Sequence, residues 1–297
     1  MRIRVIGAPM DLGADRRGVD IGASAIRYAG LNGRLRSLGY TVHDVGNVIV
    51  PQPESQPLGN PKLKYLEPIV RVAQELANIV STSLQEGEFP LILGGDHSVS
   101  LGSVSGVASV HKNVGVLWID AHGDFNTDQT TPSGNIHGMI LAASAGIGDT
   151  RLTHVGEWSP KISPQNIVIV GARDIDQSEK ELLRTHAVHV FTMSDIDQRG
   201  ISEVMRQALT IAGQYNDGIH LSLDMDALDP KEAPGVGTPV RGGLTYREAH
   251  LAMEMIADSG SLVSMDVVEV NPILDRENAT ALLAVELVLS ALGKKIL

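Results

Sequence analysis

Asp120-Ala121-His122-Gly123-Asp124 and, far along the chain, Asp224-Met225-Asp226 place ionisable side chains two apart, directly after apolar runs. In extended chain, residues i, i+2 and i+4 share one face, so Asp120, His122 and Asp124 converge on one side. Asp224 and Asp226 do the same from a second segment. A third apolar run, Pro90-Leu91-Ile92-Leu93, leads through Gly94-Gly95-Asp96 to His97. Four carboxylates at one point repel each other and burial worsens the repulsion, so cations must sit among them. The economical reading is a site for two divalent metals, with His97, Asp120, His122, Asp124, Asp224 and Asp226 as ligands. Oxygen-rich coordination with some imidazole favours Mn²⁺, and the absence of sulfur argues against zinc-thiolate or iron–sulfur chemistry. Two such ions, roughly 3.5–4 Å apart, can hold a bridging water and make hydroxide available near neutral pH. Four carboxylates also balance the charge of two divalent ions.

Each of these residues has a blander use. An Asp at a strand end commonly caps a helix or stabilises a turn. What decides against that use here is that three separate segments point to one location. Gly94-Gly95 suggests a tight turn presenting His97 rather than a phosphate cradle, because no Gly-x-x-x-x-Gly-Lys-Ser/Thr pattern follows. Asp96 either caps the next helix or supports His97 from behind. His43, His111, His154, His186, His189, His220 and His250 lack clustered acidic partners and read as surface or satisfied core residues. His137 lies in a polar loop, Thr130–Gly138, shortly after the candidate ligands. An imidazole there suits a proton shuttle, with a plain hydrogen-bonding role as its competitor.

Strands must carry these groups to a common edge. Eight short apolar runs stand out: Ile3–Gly7, Thr41–Asp44, Pro90–Leu93, Val114–Ile119, Ile167–Val170, Val188–Phe191, Ile219–Leu223 and Leu262–Glu269. Most are continuous, as in parallel strands buried on both faces. Helical stretches intervene at Ser24–Leu38, Lys62–Glu86, Ser98–Ser109, Ser178–Thr185, Ile201–Gly213, Tyr246–Asp258 and Ala279–Leu292. That alternation predicts a parallel α/β sheet covered on both sides, in one domain over 1–297. Pro51–Pro61 reads as an irregular surface loop. Ligands of open parallel sheets bind beyond the carboxyl ends of the strands, where His97 and both Asp groups fall. Gly171–Asp176 and Glu269–Pro272 arrive at the same edge. A net charge of −11 argues against nucleic acid or an anionic membrane as partner. The chain has no Cys, so neither disulfides nor a thiolate nucleophile are available. No signal-peptide core and no bilayer-length apolar run is present, and a cytoplasmic location is expected.

Gly94–His97, Trp118–Asp124 and Ser222–Pro230 resemble the signatures of the ureohydrolase (arginase/agmatinase) family. The similarity runs from Met10–Gly13 through Gly235–Pro239 to Glu269–Pro272, nearly the whole chain. It implies a three-layer α/β/α sandwich on an eight-stranded parallel sheet, and two Mn²⁺ per subunit. It also implies a metal-dependent hydrolase of arginine metabolism, acting on a linear amidine C–N bond. By that resemblance His97 and Asp124 complete one manganese site, His122 and Asp226 the other, and Asp120 and Asp224 bridge. A hydroxide bridging the ions attacks the guanidinium carbon, Asp124 orients it and passes its proton to the departing amine, and His137 exchanges protons with solvent. Glu269 holds the guanidinium, a planar cation that a carboxylate pairs with well. Asn126, Thr131, Ser133 and Asn135 bind the substrate α-carboxylate through neutral donors. Asp176 and Glu179 face its α-ammonium, and Thr238 lines the pocket. A solvated helix start competes for Asp174, Asp176 and Glu179.

Within the family, the Thr131–Asn135 loop favours L-arginine, giving L-ornithine and urea. Agmatine or another guanidino compound is the alternative substrate, but agmatine has no α-carboxylate for that loop to bind. A dinuclear phosphoesterase would need cations that the metal motifs lack, and Glu269 would repel its substrate. A non-catalytic metal-binding regulator fits poorly with a complete ligand set. The resemblance implies a homo-trimer or homo-hexamer.

Overall fold

The apolar runs form strands because β-branched side chains suit a pleated surface that is covered on both faces. In the computed structural model, which describes residues 1–214 and 217–295, ten strands are found. They are β1 (Arg2–Ala8), β2 (Thr41–Asn47), β3 (Gly59–Asn60), β4 (Leu63–Lys64), β5 (Phe89–Gly94), β6 (Gly115–Ile119), β7 (Ile167–Ala172), β8 (His189–Thr192), β9 (Ile219–Asp224) and β10 (Leu262–Val268). Eight of them make one parallel sheet in the order β2-β1-β5-β10-β9-β6-β7-β8. The remaining two, β3 and β4, pair as a small antiparallel hairpin.

The helices are α1 (Gly22–Tyr28), α2 (Leu31–Ser37), α3 (Leu66–Gln85), α4 (Ser100–Val110), α5 (Ile140–Ser144), α6 (Thr150–Thr153), α7 (Gln177–Thr185), α8 (Met193–Arg199), α9 (Ile201–Gly213), α10 (Tyr246–Ser259) and α11 (Ala279–Ala291). One core packs α1, α2, α9, α10 and α11 on one face of the sheet. A second core packs α3, α4 and α5 on the other. Alternate strand residues divide between the two: Leu91 and Leu93 face the first, Ile92 the second. The fold is the expected three-layer α/β/α sandwich with an eight-stranded parallel sheet.

Three local expectations need correction. The single helix over Ser24–Leu38 is two, broken where Gly30 takes a left-handed φ of 87°. The helix expected from Lys62 begins only at Leu66, because residues 59–64 form the hairpin and Tyr65 turns the chain at φ 54°. That hairpin lies partly within the stretch read as an irregular loop. The short helices α5, α6 and α8 show too few turns to leave a periodic signal.

The central strands also depart from continuous apolarity. Leu221 and Leu223 of β9, and Met265 and Val267 of β10, enter the first core. Their opposite face is polar and equally buried, carrying His220, Ser222, Ser264 and Asp266. The last two strands in sequence are thus inserted into the middle of the sheet, with a polar row facing α4.

Candidate metal centre

Three strands, β5, β9 and β6, deliver the candidate ligands at their carboxyl ends, and β10, lying between β5 and β9, delivers Glu269 beside them. Beyond β5, Gly95 passes so close to the β1 loop that a Cβ would stand 2.2 Å from the Met10 carbonyl oxygen. Only glycine fits, and the tight passage seats His97 at the start of the next helical turn. Asp96 caps that turn: one carboxylate oxygen accepts from the Ser98 N–H, the other from the Gly13 N–H at 2.7 Å. Capping therefore accounts for Asp96, whose hydrogen bonds among the described residues go to Gly13 and Ser98 and not to the His97 side chain. Asp124 and Glu269 sit at φ 47° and 63°, in the left-handed region that non-glycine residues adopt uncommonly.

The six candidate ligands come together. His97 Nδ1 lies 3.1 Å from Asp120 Oδ2, 3.0 Å from Asp124 Oδ2 and 3.1 Å from Asp224 Oδ2. His122 Nδ1 lies 3.1 Å from Asp226 Oδ2 and 3.3 Å from Asp120 Oδ1. His97, Asp120 and Asp224 form one group able to hold a metal ion, and Asp120, His122 and Asp226 a second, so Asp120 belongs to both. Although His97 Nδ1 is buried among three carboxylates, none of their oxygens lies where it would make a hydrogen bond with that nitrogen. Atoms about 2.1 Å from a shared cation and at right angles to each other stand about 3.0 Å apart. The donor spacing is therefore that of atoms sharing an ion, and the site fits metal.

Electrostatics point the same way. Burial, then repulsion from Asp226 and Asp120, pushes the Asp224 carboxyl well above its ordinary range. Burial likewise raises Asp124 and Asp226. Burial opposes charge on His97 and His122 too, but the surrounding carboxylates outweigh it and raise both imidazoles. Without a cation the cluster must hold protons to relieve its charge.

Behind the donors lies a second, fully buried polar layer. His97 stacks on Trp118, with ring centroids 4.0 Å apart and planes 6° from parallel, while Trp118 Nε1–H donates to Asp120 Oδ2 at 2.9 Å. His97 Nε2 meets Ser222 Oγ at 2.7 Å, and Ser222 donates onward to Asp266. Asp266 also accepts from Ser103 and pairs with His220 Nε2 at 3.1 Å. Register explains the row: Trp118 pairs with Ser222, and Ser222 with Asp266. Because Ser222 gives its proton to Asp266, its oxygen accepts from His97 Nε2–H, which leaves the Nδ1 lone pair for a metal.

Glu269 is buried on the adjacent strand end. Its Oε1 accepts from the His97 N–H at 2.9 Å and meets His137 Nδ1 at 3.2 Å. Its Oε2 is buried without a hydrogen-bond partner among the described residues. A side chain on Gly237 would crowd that oxygen from 3.3 Å. Burial works against charge on both partners, but each holds the other ionised: Glu269 falls below its usual range and His137 rises to about 9.

A cavity of about 200 Å³ opens onto the cluster, lined by His122, Asp124, Asn126, His137, Asp176, Glu179 and Thr238 among others. Thr238 Oγ1 donates to Asp226 Oδ2 at 2.8 Å. Asp174 lines the cavity as well. Asp176 both lines it and caps α7, accepting from the Glu179 N–H at 3.0 Å and from Asn126 Nδ2 at 2.8 Å. Glu179 is buried rather than solvated, accepts from the Phe125 N–H at 2.8 Å, and is pushed up to about 8 by burial. Thr131, Ser133 and Asn135 do not line this cavity. They form the adjacent loop, where Thr131 Oγ1 accepts from the Gly134 N–H and Ser133 Oγ from the Asn135 N–H.

Sequence reasoning gave no role to Ser222, Asp266 or Arg173. The Arg173 guanidinium bonds the carbonyls of Asp226, Ala227, Leu228 and Val240, tying down the loop after Asp226. Polar residues at alternate positions of β9 and β10 were the available signal for the first two. Arg173 had none beyond its place at the strand edge.

The Arginase family model matches residues 1–293. The arginase of Brevibacillus brevis is 54% identical, over 99% of this chain and 98% of its own length. Among solved structures, the arginase from Bacillus caldovelox superposes with a TM-score of 0.97 at 49% identity, covering 99% of each chain. The arginase from Bacillus cereus gives 0.96 at 50% identity, covering 100% of each.

Proposed function

The chain belongs to the arginase family, and from that premise we propose that it is a hydrolase converting L-arginine and water to L-ornithine and urea. The observation that carries the reading is Glu269 Oε2, a buried, unpartnered carboxylate oxygen beside the acidic cluster. A planar guanidinium supplies the donors that this oxygen lacks.

His97, Asp120, His122, Asp124, Asp224 and Asp226 would hold two Mn²⁺ per subunit. When bound, such ions supply water activated for attack on a planar carbon. Glu269 would anchor the guanidinium by one oxygen while His97 N–H and His137 hold the other. Attack forms a C–O bond and breaks the C–N bond to the ornithine side chain. Asp124 would carry the proton lost by the water to the departing amine, and His137, partly exposed in the cavity wall, would return protons to solvent. Asn126, Thr131, Ser133 and Asn135 would bind the α-carboxylate. Asp176 and Glu179 would face the α-ammonium, and Thr238 would orient Asp226. The reading treats the whole chain as one domain, working in the cytoplasm as a homo-trimer or homo-hexamer.

Urea release is the test, with Mn²⁺-loaded protein offered L-arginine and agmatine in parallel. Turnover of arginine alone, abolished by chelation and restored by Mn²⁺, is expected. Turnover of agmatine in its place would overturn the substrate assignment.

A further inference from the structure

The hairpin β3–β4 packs on the loop proposed to read the α-carboxylate. Gly134 lies so close to it that a Cβ would stand 1.8 Å from the Pro61 carbonyl oxygen. Three bonds join hairpin and loop. The Lys64 N–H donates to Gly134 O at 3.1 Å, Lys62 Nζ to Thr131 O at 2.7 Å, and Lys64 Nζ to Asn135 Oδ1 at 3.0 Å. Lys64 Nζ is itself held by Asp15 Oδ2 at 2.7 Å, and its side chain is only 18% exposed.

An ammonium has donors and no acceptor, so it dictates which end of the Asn135 amide it meets. The oxygen must face Lys64. The NH₂ group then points away from Lys64 and has no hydrogen-bond partner among the described residues. No Lys or Arg lines the neighbouring cavity, whose ionisable wall is acidic apart from His122 and His137. An amide turned the other way would present an oxygen to an incoming carboxylate and repel it.

We propose that Lys64 is a specificity-determining positioning residue. By fixing the Asn135 amide with its NH₂ outward, it sets the loop to accept an α-amino-acid carboxylate. The inference rests on the proposed role of that loop and adds a residue outside the loop that governs it. Pairing with Asp15 holds the ammonium in place, so its effect is exerted through Asn135 and not as a free charge.

Steady-state kinetics and product inhibition of the Mn²⁺-loaded enzyme test this in Lys64→Met, Lys64→Arg, Asn135→Ala and the Lys64→Met/Asn135→Ala double variant. L-ornithine and putrescine serve as inhibitors, the same diamine skeleton with and without the carboxylate. Lys64→Met should raise KM for arginine and Ki for ornithine about tenfold, the scale of one hydrogen bond to a charged group. It should move kcat far less and leave Ki for putrescine unchanged. Lys64→Arg, which keeps a donor, should recover part of the loss. In the double variant the effect should be no larger than in Asn135→Ala alone, since Lys64 acts through that amide. If Asn135→Ala weakens ornithine binding while Lys64→Met does not, or if the two effects add, the positioning role fails and the loop assignment survives. If Asn135→Ala leaves ornithine binding intact, the loop assignment itself falls and the proposal with it.

Discussion

Glu269→Gln removes one negative charge and almost nothing else. The amide oxygen can still accept from the His97 N–H, the bond that Oε1 makes at 2.9 Å, so the local backbone keeps its support. The new NH₂ group then occupies the place of Oε2, which is buried and without a hydrogen-bond partner. A guanidinium arriving there meets donors instead of an acceptor. Leaving one member of a buried charge pair uncompensated costs about 3–5 kcal/mol. At 1.36 kcal/mol per tenfold, that is between about two and four powers of ten in kcat/KM for arginine. A second signature follows from the same charge. Glu269 holds His137 up at about 9, so His137 is protonated at pH 8. Without the carboxylate its titration should fall back toward the ordinary histidine value near 6.5, leaving it neutral at pH 8. Urea-release kinetics and NMR titration of the His137 ring read the two effects separately, and a melting curve checks the fold. A loss in kcat/KM below tenfold would refute Glu269 as the guanidinium anchor, and a His137 titration that does not move would refute its charge coupling to Glu269.

Two further outcomes are expected. Ser222→Ala takes the acceptor from His97 Nε2–H and cuts the link to Asp266, so affinity for the Mn²⁺ that His97 would hold should fall about 10–100-fold. Calorimetric titration of the metal-free protein measures this, and an unchanged affinity would show that the buried row does not orient His97. Glu179 is raised by burial from 4.5 to about 8. Over that interval the folded chain holds a proton that the unfolded chain has lost, so stability drops as pH rises. Glu179→Gln should therefore melt higher than the parent at pH 8 and alike at pH 4. Parallel melting profiles across that range would mean that Glu179 is already ionised when folded.

Sequence by itself determined what is local. The apolar runs located all eight strands of the sheet, because backbone periodicity is set by near neighbours. Residue type picked out Asp120, His122 and Asp124 just beyond β6. The chain there turns instead of running extended, with Asp124 at φ 47°, so a shared strand face is not what gathers them. The donor types already spoke for oxygen-rich metal chemistry. Which strands would lie side by side was not local. β9 and β10 enter last in the chain yet occupy the middle of the sheet, and only that insertion puts Ser222 beside Trp118 and Asp266 beside Ser222. Their polar faces looked unremarkable in sequence, since a buried serine row gains meaning only from what it touches. The same holds for Arg173, whose four carbonyl partners beyond its own strand come from the loops around residues 226–228 and 240. It holds too for the hairpin, where Pro and Gly signalled a loop while its contacts with residues 131–135 decided its shape. Glu269 shows the division most plainly. The family resemblance assigned it to a guanidinium, but the bare oxygen arises because His97 and His137, brought from two other segments, claim only one side of the carboxylate.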